Sequence, residues 1–129
     1  MTNPAVSIRG LRERTSGKFV KTSLDLVVLA ILDDKPMHGY RIMAAIHTEF
    51  GVLLSPGTLY PLLHLLEEKK LVESRVERGK RVYEATSEGR TRFQNAFTMF
   101  KVSMDQLETF VKRNGKHSLN DSRHSGQIL

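Results

Sequence analysis

Ser55-Pro56-Gly57-Thr58-Leu59-Tyr60-Pro61-Leu62-Leu63-His64-Leu65-Leu66 is the stretch on which the reading of this chain turns. Ser55 before Pro56 is a helix start: a serine side chain can accept from free backbone N–H groups, and proline is tolerated at the first helical position. Behind it Leu59, Leu62, Leu63 and Leu66 recur at spacings of 3, 1 and 3, which puts them on one helical face. Thr58, Tyr60 and His64 fall off that face. After Glu67-Glu68-Lys69-Lys70 the period changes. Val72, Ser74 and Val76 alternate with Glu73, Arg75 and Glu77, as in a strand with one exposed face. Arg78-Gly79-Lys80-Arg81 reads as a turn in which glycine takes positive φ, and Arg81 to Thr86 as the returning strand.

Working outward, Thr22 or Ser23 caps an earlier helix carrying Leu26, Val27, Leu29, Ala30, Ile31 and Leu32. That run is apolar nearly all round, so it is expected at the centre of the fold. Asp33-Asp34-Lys35-Pro36 stops it. A second helix is expected from about Gly39 to Phe50, with Tyr40, Ile42, Met43 and Ile46 inward and Gly51 closing it. Beyond the hairpin, Ser87 with Glu88 starts a last helix that runs to Asn114-Gly115. Three short helices, a hairpin and a long helix make a mainly α protein, a winged helix-turn-helix with a C-terminal dimerisation helix. The expected organisation is a basic arm over 1–21, a DNA-binding domain over 22–86, a dimerisation helix over 87–114 and a disordered polar tail over 115–129. In the arm, Asn3-Pro4 offers a start for a short helix, and a disordered leader fits equally well.

Composition narrows the function classes. The 129 residues carry 20 Lys+Arg and 14 Asp+Glu, a formal net charge of +6. That surplus suits a polyanion. Arg9, Arg12, Arg14, Lys18 and Lys21 concentrate it in the arm, against Glu13 alone. With no cysteine, disulfides, zinc fingers, iron–sulfur clusters and thiol nucleophiles are excluded. No apolar run approaches a membrane span and no secretory leader is legible, so a cytoplasmic protein is expected. His38 and His47, nine residues apart with no carboxylates clustered between them, do not make a metal site. Asp33-Asp34 and Glu67-Glu68 are adjacent pairs whose side chains diverge on a helix, and no phosphate loop or Ser–His–acid set is present, so no enzyme and no cofactor is expected.

Thr22 to Thr86 resembles the PadR family of transcriptional regulators. The resemblance rests on Leu29-Ala30-Ile31-Leu32 before Pro36, on His38-Gly39-Tyr40, and on Ser55 to Leu63, with Leu66-Glu67, Leu71-Val72 and Tyr83. Gly57 to Leu63 is its most specific part, because a proline at position 61 is otherwise poor helix design. The resemblance implies dimeric DNA-binding repressors, often relieved by small molecules, and the subtype with a single C-terminal helix. The chain departs from the family in carrying His64 and Leu65 where Arg or Lys is frequent, and in having no Trp.

The expected DNA contacts are Ser55, Gly57, Thr58, Tyr60 and His64 at the third helix and Arg78, Lys80 and Arg81 at the wing. Phe93, Phe97, Phe100, Met104, Leu107 and Val111 recur at spacings of 4, 3, 4, 3 and 4, a heptad seam expected to join two copies. An effector, if one binds, should be small and largely apolar and sit between the subunits, where Phe and Met side chains can repack. Two alternatives remain at this level: a winged-helix module that binds another protein, and a chromosome-coating protein without sequence preference.

Overall fold

The computed structural model describes residues 17–115; the arm's Asn3-Pro4 start and the tail beyond Gly115 lie outside the described residues. The described chain opens in helix, α1, over residues 17–22. Val20 of this turn is fully buried, and Phe19 meets Phe50 with ring centroids 6.4 Å apart, so packing rather than propensity holds it. The chain bends at Ser23 and continues as α2, Leu24–Asp34. Neither expected cap supplies one: Ser23 makes no capping bond, and the Thr22 hydroxyl donates back to the Lys18 carbonyl at 2.9 Å.

Pro36 disfavours helix in the residue before it. Lys35 is accordingly extended, and the chain leaves α2 for a two-residue strand, β1, Met37–His38. Helix α3, Gly39–Phe50, ends on Gly51 in the left-handed region (φ 71°), whose N–H bonds the His47 carbonyl at 2.9 Å. Helix α4, Pro56–Glu68, starts after Ser55 as expected, but the Ser55 side chain makes no capping bond to a backbone N–H; its hydroxyl pairs with that of Thr58. Pro61 sits inside it, where it supplies no N–H to the Gly57 carbonyl one turn back. Strands β2, Val72–Glu77, and β3, Lys80–Ala85, pair antiparallel from Val72↔Ala85 to Glu77↔Lys80. Only Arg78 and Gly79 lie between them, at φ 51° and 78°. Two positive φ values are the two-residue turn that follows the right-handed strand twist. The loop is thus shorter than the expected four residues: Lys80 joins Arg81, already expected there, in β3.

β1 adds a third strand, giving the order β1-β3-β2 with Met37 opposite Tyr83 and His38 opposite Val82. The expected hairpin is therefore part of a small three-stranded sheet. The core gathers Val27, Val28, Leu29 and Leu32 of α2, Ile42 and Ile46 of α3, and Leu59, Leu63 and Leu66 of α4, closed by Leu71, Val72, Tyr83 and Ala85. Tyr40, expected inward, is 72% exposed. It directly follows Gly39, while the buried face of α3 is set by Ile42 and Ile46, one turn apart.

Helix α5, Ser87–Arg113, is anchored at its start. Thr86, not Ser87, is the cap: its hydroxyl donates to the Lys70 carbonyl at 2.7 Å and accepts from the Gly89 N–H at 3.0 Å. Its own N–H bonds the Leu71 carbonyl at 3.0 Å. Gly89 is buried there, and the site needs a glycine because a β-carbon would run into the Leu71 carbonyl oxygen, with the carbonyl carbon 3.0 Å away. The chain divides into two compact units, the first ending at Phe93 and the second beginning at Gln94.

Candidate nucleic-acid interface

The exposed surface of α4 is built from what its leucines leave over. Burial of Leu59, Leu63 and Leu66 turns Gly57, Thr58, Tyr60, Pro61, His64 and Leu65 to solvent. Ser55 and Thr58 tie the helix start together through their hydroxyls at 3.2 Å, while the Ser55 carbonyl accepts from the N–H groups of Thr58 and Leu59 at 3.0 Å. His64 lies 3.4 Å from the Glu68 carboxylate, one turn on, with both side chains largely exposed.

Tyr60 takes a different course from its neighbours on α4. Its ring lies over Gly39 at the start of α3: a β-carbon on Gly39 would come within 2.6 Å of Tyr60 Cζ and 2.7 Å of Cε1 and would overlap the hydroxyl. The Gly39 of the His38-Gly39-Tyr40 motif is thus the seat for the tyrosine of α4. His38, Gly39, Tyr40, Tyr60, Lys80 and Arg81 line one open cleft of about 370 Å³. It brings two phenols together with two wing cations and has no carboxylate in its lining. His38 and Tyr40, which sequence reasoning left out of the candidate site, stand in it because β1 pairs with β3 and carries them to the foot of the wing.

The wing's charges are unequal. Arg75 donates to Glu77 at 2.5 Å and to Glu84 at 2.8 Å, and these two carboxylates, Glu77 first, hold its guanidinium above the ordinary arginine value. Its charge is spent within the hairpin. Arg78 and Lys80, by contrast, form no ion pair among the described residues and are exposed. Arg81 donates to the Ser74 hydroxyl at 3.0 Å, and Ser74 donates in turn to Glu67 at 2.5 Å. This relay runs from wing to α4 and holds Arg81 beside Tyr83, on the face that also carries Ser74. Tyr83 is buried, and burial, followed by the nearby Glu67 and Tyr60, pushes its hydroxyl above the ordinary tyrosine value.

The structure thus gathers Tyr60, Lys80 and Arg81 around one cleft, with Ser55, Gly57, Thr58 and His64 exposed along α4 and Arg78 at the hairpin tip. A family model described as "Transcriptional regulator PadR-like family" matches residues 28–95, which hold α3, α4, the sheet and the cleft. The chain belongs to the PadR-like family. It is 33% identical over 105 residues to the transcriptional regulator Rv3488 of Mycobacterium tuberculosis, covering 78% of this chain and 94% of that protein. It is 39% identical over 72 residues to the transcriptional regulator YqjI of Escherichia coli, covering 54% of this chain. It spans 33% of YqjI's length, and only 26% of another curated relative. Among solved structures, F93 from STIV, described as a winged-helix DNA-binding protein, is similar at a TM-score of 0.55 and 25% identity, covering 64% of this chain and 89% of that one. The PadR-like match ends just inside α5.

The rest of α5, described by itself, carries the heptad seam. Phe93 belongs to the first unit, half-buried against its core. From Gln94 on, Phe97, Phe100, Met104, Leu107 and Val111 are 41–55% exposed, and Met99, Val102 and Phe110 are exposed as well. Lys101 stands 5.6 Å from the Phe97 ring and Lys112 pairs with Glu108 at 3.3 Å. Among the described residues no group of His, Asp and Glu is placed to hold a metal ion, and no helix is long and apolar enough to cross a membrane.

Proposed function

We propose that this PadR-like protein is a sequence-specific, double-stranded DNA-binding transcriptional repressor that works in the cytoplasm as a homodimer on a palindromic operator. The cleft carries the reading: a phenol from α4 and two cations from the wing face the same space, which is what a winged helix needs to grip the sugar–phosphate backbone while α4 lies in the major groove. In this arrangement Ser55, Gly57 and Thr58 present the N-terminal end of α4, with its partial positive charge, to phosphate. Tyr60, Arg78, Lys80 and Arg81 bond or neutralise phosphates, and His64 faces base edges. Similarity to F93, itself described as a DNA-binding protein, supports the same assignment.

The dimer half of the proposal rests on α5. Met104, Leu107 and Val111 expose an apolar edge at heptad spacing, and covering it with a second copy removes that edge from water. Two copies then present two α4 helices to half-sites one helical turn apart. An effector bound between the subunits, small and apolar, would act by shifting that spacing.

Selection of bound duplexes from a random pool tests the proposal, followed by titration of the selected and a scrambled duplex across a salt series. Enrichment of an inverted repeat, with steep salt dependence, is the expected result. Sedimentation should give a dimer, and replacing Met104 and Leu107 together by Glu should give monomers with reduced affinity. Binding without salt dependence, or no binding, would refute the DNA reading; equal affinity for every sequence would leave a coating protein instead.

A further inference from the structure

The strip of α4 that faces outward between the two phosphate-directed groups carries no cation. From Pro56 to Glu68 the helix has no Lys or Arg. Its exposed residues other than Thr58 and Tyr60 are Pro56, Gly57, Pro61, His64, Leu65 and Glu68. Pro61 and Leu65, four residues apart, lie on one strip, since a helix repeats every 3.6 residues. Leu65 is 42% exposed, although the buried side of the same helix has leucines to spare. Glu68 holds His64 at 3.4 Å, which draws the imidazole along the helix toward its C-terminal end.

Guanine in the major groove is read by the bidentate donors of Arg or Lys, and none is available on this strip. What an apolar side chain does recognise there is the C5-methyl group of thymine. We infer that Pro61 and Leu65 read bases beside His64 and that they select thymine by contact with its methyl group, making each half-site rich in A·T pairs at the positions under α4. The inference rests on the proposal that α4 enters the major groove. Leu65 reads by shape: a methyl group completes its contact, and a base edge bearing only polar atoms leaves it against unsatisfied donors and acceptors.

Replacing thymine by deoxyuridine in the selected duplex removes the methyl group and nothing else. Measured with the whole protein, each contacted position should lose about fourfold in affinity, the value of one buried methyl-sized group. In Leu65→Ala the same replacement should cost nothing at the position Leu65 reads, while binding to scrambled duplex and its salt dependence stay at the parent's level. Leu65 is partly exposed, so this variant keeps the fold; thermal unfolding alongside checks it. A selected half-site dominated by guanine, or equal affinity for thymine and uracil duplexes with specific binding intact, overturns the inference and leaves the regulator standing. Loss of all specific binding in the parent overturns both.

Discussion

Replacing Gly39 by Ala should weaken DNA binding several-fold while leaving the fold almost untouched. The added β-carbon would overlap the Tyr60 hydroxyl and approach Cζ to 2.6 Å, so the ring cannot stay where it is. What it strikes is the far end of a side chain that is 40% exposed, not backbone, and the ring can rotate outward. Two small terms then oppose each other in stability. Alanine in a helix is worth up to about 0.5–1 kcal/mol over glycine, with the first helical position at the low end. The displaced ring loses its seat and sits off its best rotamer, at a cost of about 0.5–1.5 kcal/mol. The net change is within about 1 kcal/mol, or about 4–8 °C in thermal midpoint for a domain of this size. Binding has no such compensation. If the Tyr60 hydroxyl bonds a phosphate, its loss costs about 0.5–1.5 kcal/mol, a few-fold to tenfold in affinity. Fluorescence anisotropy with the selected duplex, beside urea unfolding, reads both quantities. Tyr60→Phe should match the binding loss, and combining the two changes should cost less than their sum, because both remove the same contact. A stability loss above about 2 kcal/mol would show that the ring cannot swing. Parent-level affinity in Gly39→Ala, with Tyr60→Phe weakened, would show that Gly39 does not place the hydroxyl.

Gly89→Ala should behave in the opposite way. Its β-carbon meets the Leu71 backbone, which also accepts from Thr86, so overpacking and a loosened cap together should cost about 2 kcal/mol or more in urea unfolding. Removing Lys80 and Arg81 should flatten the logarithmic salt dependence of DNA binding by about two units per subunit, while Arg75→Ala should leave the slope nearly unchanged, because Glu77 and Glu84 already hold that charge. Raising the pH should destabilise the parent through Tyr83. Its hydroxyl holds its proton more tightly when folded than when unfolded, so that contribution is complete below the ordinary tyrosine value near 10 and is lost as pH climbs through the higher folded value. Tyr83→Phe should remove this part of the alkaline loss, read as unfolding midpoint against pH.

Several features were legible because their causes are local. Ser55-Pro56 starts α4, Gly51 takes the left-handed turn after α3, and the 3-1-3 leucine spacing sets which side of α4 is buried; each follows from a few neighbouring residues. The change from helical to alternating period marked β2 and β3 for the same reason. The hydrophobic composition of α2 announced its central place, and Leu32 and Val28 are fully buried. The family resemblance was carried by short motifs of the same kind.

Tertiary structure decided what depends on distant partners. β1 is two residues long and has no period to detect; it is a strand only because β3 lies beside it. That pairing brings His38 and the start of α3 to the cleft, while the burial of Ile42 and Ile46 leaves Tyr40 outward against its expectation. Residues 17–22 are helical with Val20 in the core, although their sequence suits an arm equally well. Thr86 rather than Ser87 caps α5 because the carbonyls of Lys70 and Leu71 are within reach of its side chain and backbone. Among the wing arginines, sequence offers three similar charges. Register separates them: Arg75 falls opposite Val82 between two glutamates, Arg78 falls in the turn, and Arg81 falls opposite Val76 on the face of Ser74. A one-residue step along a strand moves a side chain to the other face of the sheet, so which cation is free to meet a phosphate is set by pairing across the hairpin and not by the order of residues along it.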